Sequence, residues 1–120
     1  LQPVTIASGS AMSTVLNFTK IQPRGITVET PAAWTAANIG FLVSRDATNW
    51  KRLYVTDSDG AAAAIVVSGV PTSTSVVITT DAGNWGVQNY PYFCVVSLNT
   101  STGANVAQGA ERVLYIGLVT

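Results

Sequence analysis

The sequence predicts an all-β domain, an antiparallel β-sandwich or jelly-roll-like barrel of about eight to nine short strands. Three observations carry this expectation. Segments rich in Val, Ile, Thr and aromatic residues recur at short intervals, each bounded by Gly, Pro, Asn, Asp or Ser. Several alternate apolar and other residues with the period of two that a pleated strand imposes. No segment has the apolar spacing of a long amphipathic helix, so the crossover helices of a parallel sheet have no source.

The first run, "PVTIAS", precedes a small-residue stretch, and residues 1–12 are expected to form an extended N-terminal arm that reaches a neighbour or another partner instead of completing its own sheet. "STVLNFTK" and "GITVET" follow as strands. "PAAWTAANI" has room for one helical turn begun at Thr30 or Pro31. In "NIGFLVS", Ile39, Phe41 and Val43 share one face and Gly40, Leu42 and Ser44 the other. Asp46, Thr48 and Asn49 are turn formers joining that strand to "WKRLYVT" as a hairpin. The "DSDG" run places a turn with Asp59-Gly60 at its corner before "AAIVVS". There the alanines favour helix, but the β-branched run and flanking glycines decide for a strand. "SVVITT", "YFCVVSL" and "RVLYIGLV" complete the set; the last is apolar on both faces and is expected to be central or covered.

Composition narrows the function. A chain of 120 residues is one domain spanning 1–120, with a core of modest size. Only 10% of residues are charged, against a typical ~25%. The six basic residues are scattered, which argues against a nucleic-acid partner. So few charges on a 48% hydrophobic chain favour self-association, and we expect neighbouring protein to cover much of the surface. Histidine is absent, which removes the commonest general base and metal ligand; no enzyme activity and no cofactor are expected. Cys94, the single cysteine, fits a small buried apolar position, and no disulfide can form within the chain. No apolar run approaches the ~18 residues of a membrane span, and no targeting segment is evident, so a soluble chain is expected.

The apparent motifs are mostly structural. "DSDG" resembles the start of a calcium loop, but Ala61 to Ala64 follow where further oxygen ligands belong, so no metal site is expected. Asp46, Asp57, Asp59 and Asp81 all sit in turn-like contexts without the apolar neighbours that raise a catalytic pKa. Trp34 and Trp50 read as packing at the ends of the core or as a sugar platform beside Asn49, Lys51 and Arg52. Two long irregular segments, "TTDAGNWGVQNYP" and "NTSTGANVAQGAE", are candidate binding or clasping loops. Trp85 in the first reads as an interface anchor, as a side chain folded onto its own core, or as a sugar-stacking ring; with Tyr90 it forms the candidate interface. Gln108 and Arg112 are added to that set. They lie four residues apart before the last strand and are expected to organise its start, with Arg112 satisfying carbonyls or pairing with Glu111 or an acid of a neighbouring subunit.

"PAAWTAANIGFLVSRDATNWKRLYVTDSDGA", with "NVAQGAERVLYIGLVT" near the end, resembles a group of small tailed-phage virion proteins. Their members read Pro-Ala-x-Trp-Thr-x-Ala, a strand with a Ser-x-Asp turn, Trp or Tyr, Leu-Tyr, Asp-x-Asp-Gly, and finally Gln-x-x-x-Arg before an apolar strand. The resemblance covers about two-thirds of the chain. It implies a capsid decoration or cement protein on the outer capsid surface, often a homotrimer, bound to the major capsid protein or other virion proteins, and it makes the capsid the other partner that the arm of residues 1–12 reaches. A carbohydrate- or receptor-binding module of a phage tail or secreted enzyme is the alternative.

Overall fold

The structure, a computed structural model, describes residues 1–17, 25–56, 59–80 and 90–119. These residues form eleven strands and no helix: β1 (Gln2–Ile6), β2 (Leu16–Asn17), β3 (Gly25–Glu29), β4 (Asn38–Ser44), β5 (Trp50–Arg52), β6 (Tyr54–Thr56), β7 (Ala62–Ala64), β8 (Val66–Val67), β9 (Val77–Thr80), β10 (Tyr92–Leu98) and β11 (Arg112–Val119). They make two packed antiparallel sheets, ordered β1-β11-β3-β9 and β2-β10-β4-β5, the second with β8 also paired to β4. The chain is therefore a β-sandwich.

Strand alternation builds the core. Val4 and Ile6, Leu114 and Ile116, and Ile26 and Val28 project from the first sheet onto Ile39, Phe41, Val43, Phe93 and Val95 of the second. Phe41 and Phe93 stack at its centre with ring centroids 5.6 Å apart. As its composition predicts, β11 is central, lying between β1 and β3.

The strand count exceeds expectation because two runs are interrupted. "WKRLYVT" and "AAIVVS" each break where the chain leaves the sheet edge. The Leu53 N–H still bonds the Phe41 carbonyl and the Ile65 N–H the Leu53 carbonyl, while β6 and β7 pair with each other as a projecting hairpin. Gly60 in its turn has φ 81°, a left-handed conformation that glycine adopts at no steric cost. Asp57 and Ser58 lie outside the described residues.

Two local expectations are corrected. Residues 1–12 are not an arm: β1 pairs with β11 over five residues, Gln2↔Ile116 through Ile6↔Arg112, and buries Val4 and Ile6. Burying those two side chains and completing the backbone ladder within the chain outweighs an extended, solvated segment. The chain then doubles back. Thr14 N–H donates to the Thr5 carbonyl while Ser13 N–H donates to the Val95 carbonyl, so consecutive residues tie β1 to β10 and close one side of the sandwich. The second correction concerns "PAAWTAANI", which forms no helical turn. Trp34 is drawn into the core instead, its backbone N–H donating to Thr72 and its indole Nε1 to the Ala37 carbonyl at 3.1 Å.

The two sheets differ on their outer faces. On the second sheet, Leu42, Cys94, Val96 and Leu98 are buried beneath Ala11, Met12 and Trp50. Among the described residues the first sheet carries no such cover over Tyr115 and Val77, which are 41% and 62% exposed.

Candidate functional site

The residues singled out in the sequence fall at opposite ends of the sandwich. At one end, "PAAWT" meets the "QGAER" segment. Gln108 is fully buried, and its side chain spans the backbone of Thr35: Oε1 accepts from Thr35 N–H at 2.9 Å, and Nε2 donates to the Thr35 carbonyl at 3.1 Å. Nε2 also donates to Ser97 Oγ at 2.8 Å. Arg112 adds Nε to Gln108 Oε1 and an Nη2 bond to Thr35 Oγ1 at 3.2 Å. Gly109 N–H donates to the same hydroxyl at 3.0 Å. The amide's donors and acceptor thus all face groups of the same chain, the condition under which a buried polar side chain stabilises a fold. Gln108 consequently leaves the set of interface candidates, and Arg112 turns to Gln108 and Thr35, not to Glu111.

At the other end, the β4–β5 hairpin opens a cleft of about 360 Å³ lined by Val43, Ser44, Arg45, Asp46, Asn49, Lys51 and Tyr90. Its rim is built by one carboxylate. Asp46 Oδ1 accepts from Ser44 Oγ, Thr48 N–H and Asn49 N–H at 2.9, 2.9 and 2.8 Å, and Oδ2 accepts from Asn49 Nδ2 at 2.7 Å. The backbone N–H groups of Asn49 and Thr48, then the side chains of Asn49 and Ser44, hold this carboxyl well below the usual carboxylate range. Asp46 is thus a turn lock that stays charged, and its acceptor capacity is close to filled. This is the turn the sequence implied. Its neighbours were less legible: Tyr90 is half-buried, packs on the main core and lines the cleft, which only the path of the distant β10 brings about.

The tryptophans separate. Trp34 sits in the inter-sheet core, whereas Trp50 covers the outer face of the second sheet, so the two rings form no shared platform. Trp85 and Asp81 lie outside the described residues. Cys94 is buried, and burial pushes its thiol up to about 12, so it stays a protonated, unreactive thiol near neutral pH. Among the described residues no cluster of three or more His, Cys, Asp or Glu side chains has metal-binding geometry. No known family model matches the chain, and no curated protein or solved structure is significantly similar to it.

Proposed function

We propose that the chain is a structural protein of a phage virion, a decoration or cement domain that binds the capsid lattice and its own copies, assembling as a trimer. The observation that supports this most is the uncovered face of the first sheet. Pro3, Tyr115, Glu29 and Val77 stand in one register row across its four strands. Beside that row, Leu1, 77% exposed, lies over Gly117. Glu29 is the only charge in the row, and the second sheet's outer face shows that this chain covers such surface where it can. A sheet face with exposed Tyr, Leu and Val and one carboxylate has the composition of an interface core. The residues that carry the phage resemblance support the same reading, because Trp34, Thr35, Ser44, Asp46, Gln108 and Arg112 all serve the framework.

Light scattering on the eluting protein tests it. The wild type is expected as a trimer, and a Tyr115→Lys/Val77→Lys variant as a monomer that keeps its β-type circular dichroism, since both substitutions flank Glu29 on an exposed surface and the trimer's mass-action stabilisation is lost with it. A wild type that stays monomeric at high concentration, with no adjacent copies in a map of the source particle, overturns the proposal. A second reading, a carbohydrate- or receptor-binding module, is favoured by one observation: the cleft at the β4–β5 hairpin carries two cations without partners among the described residues.

A further inference from the structure

The cations of this chain divide into two kinds. Of the four among the described residues, Arg112 and Arg52 are committed to the fold, Arg112 through Gln108 and Thr35, Arg52 through Nη1 to the Gly103 carbonyl at 3.4 Å. The other two, Arg45 and Lys51, have no hydrogen-bond or ion-pair partner among the described residues, and both line the same cleft. The one acid beside them cannot serve as their partner without breaking the hairpin, because Asp46 already accepts four hydrogen bonds from Ser44, Thr48 and Asn49. Two cations and one committed carboxylate leave the cleft with a net charge of +1 and two unsatisfied positive groups.

The remaining lining groups narrow the ligand. Asn49 gives its amide N–H to Asp46, which fixes the side chain and leaves Oδ1 as an acceptor that requires a donor such as a hydroxyl. Tyr90, anchored against the core, contributes a phenol ring and its own hydroxyl. The volume, about 360 Å³, lies at the small end of the range of roughly 300–1,000 Å³ typical of small-molecule sites. Cations for a carboxylate, an acceptor for a hydroxyl and a ring for an apolar C–H face are the separate needs of one ligand class.

We propose that the cleft formed by Arg45, Asn49, Lys51 and Tyr90 binds an acidic saccharide, a sugar bearing a carboxylate. The site rests on the second functional reading and is independent of whether the chain builds a virion. The carboxylate sits between the Arg45 guanidinium and the Lys51 ammonium, a neighbouring hydroxyl donates to Asn49 Oδ1, and the sugar ring lies against Tyr90. An acidic peptide would also satisfy the cations and could offer Asn49 a backbone N–H, so the peptide is the competitor against which the saccharide is measured.

Calorimetric titration of the full chain tests this with an oligogalacturonate, the corresponding neutral oligogalactose, a short Asp/Glu peptide and sodium acetate. The oligogalacturonate is expected to bind at least tenfold more tightly than each of the others. Arg45→Gln/Lys51→Gln should weaken it at least tenfold while leaving the melting temperature unchanged, since both side chains are exposed and unpaired. Asn49→Asp retains the turn's length but places a second carboxylate at the rim, and should also weaken binding. Equal binding of the neutral sugar, preference for the peptide or acetate, no binding of the uronate, or an unaffected double glutamine variant would each overturn the site. None of these outcomes bears on oligomer formation, so the assembly proposal is judged separately.

Discussion

Single side chains show how strongly this fold depends on saturating its few buried polar groups. Gln108 replaces a missing stretch of ladder by bonding both the N–H and the carbonyl of Thr35. Gln108→Leu fills similar space but strands those two backbone groups and Ser97, and each unsatisfied buried group costs about 1–3 kcal/mol. The expected loss is about 2–4 kcal/mol in chemical denaturation, with Arg112→Ala costing less because Gln108 still holds Thr35. Cys94 gives a second test. Its folded pKa is raised, so in alkali the unfolded chain loses its thiol proton first and the native state binds more protons. Stability is therefore fully present below the ordinary thiol pKa of about 8.5 and declines as pH rises from there towards 12. The melting temperature of the wild type should fall more steeply over that window than that of Cys94→Ala, and the native thiol should resist a thiol reagent at pH 8 until the protein unfolds.

Among the elements, β4 and β10 are the most constrained, since both are covered on both faces. Gly40 illustrates the tolerance. A Cβ there would lie 2.6 Å from Leu98 Cδ1 and 3.1 Å from Val96 Cγ1, and Leu98, which would have to shift, is wholly buried beneath the covering segment. Gly40→Ala should cost about 1–3 kcal/mol through overpacking despite its gain in β-propensity, measured as a shift in denaturation midpoint without a change in slope. The alternation of Ile39, Phe41 and Val43 was legible in the sequence because one face meets the core. That the other face is also dry was not, because its cover comes from Ala11, Met12 and Trp50, which lie far away in the chain or beyond a turn.

For the whole molecule, the decisive contact joins the two ends of the described chain. β1 is an edge strand whose loss would expose β11 and remove Val4 and Ile6 from the core. Full burial of each such side chain is worth about 1.5–3 kcal/mol, so deleting residues 1–6 should cost about 3–6 kcal/mol, a large share of the 5–15 kcal/mol typical of a domain. Loss of cooperative unfolding, or precipitation on expression, is the expected result; a truncated chain as stable as the full one would contradict the register seen here. The same strand also limits edge pairing. Thr5 turns its backbone towards Thr14, so Pro3, two residues earlier, faces the same open edge and presents no N–H to a foreign strand.

The class of fold and nearly every strand were legible in the residues alone, because alternation and turn chemistry act over a few residues and are written locally. So was the turn that Asp46 caps, since Ser44, Thr48 and Asn49 are its immediate neighbours. Three outcomes were not legible locally and came from packing: residues 1–6 complete a sheet, Gln108 and Arg112 grip Thr35, which is 73 residues from Gln108, and Tyr90 meets Arg45 and Lys51 at one cleft. Those outcomes depend on which strands become neighbours, and strand order is set by the summed burial of both sheet faces, a property of the whole chain that no short segment carries.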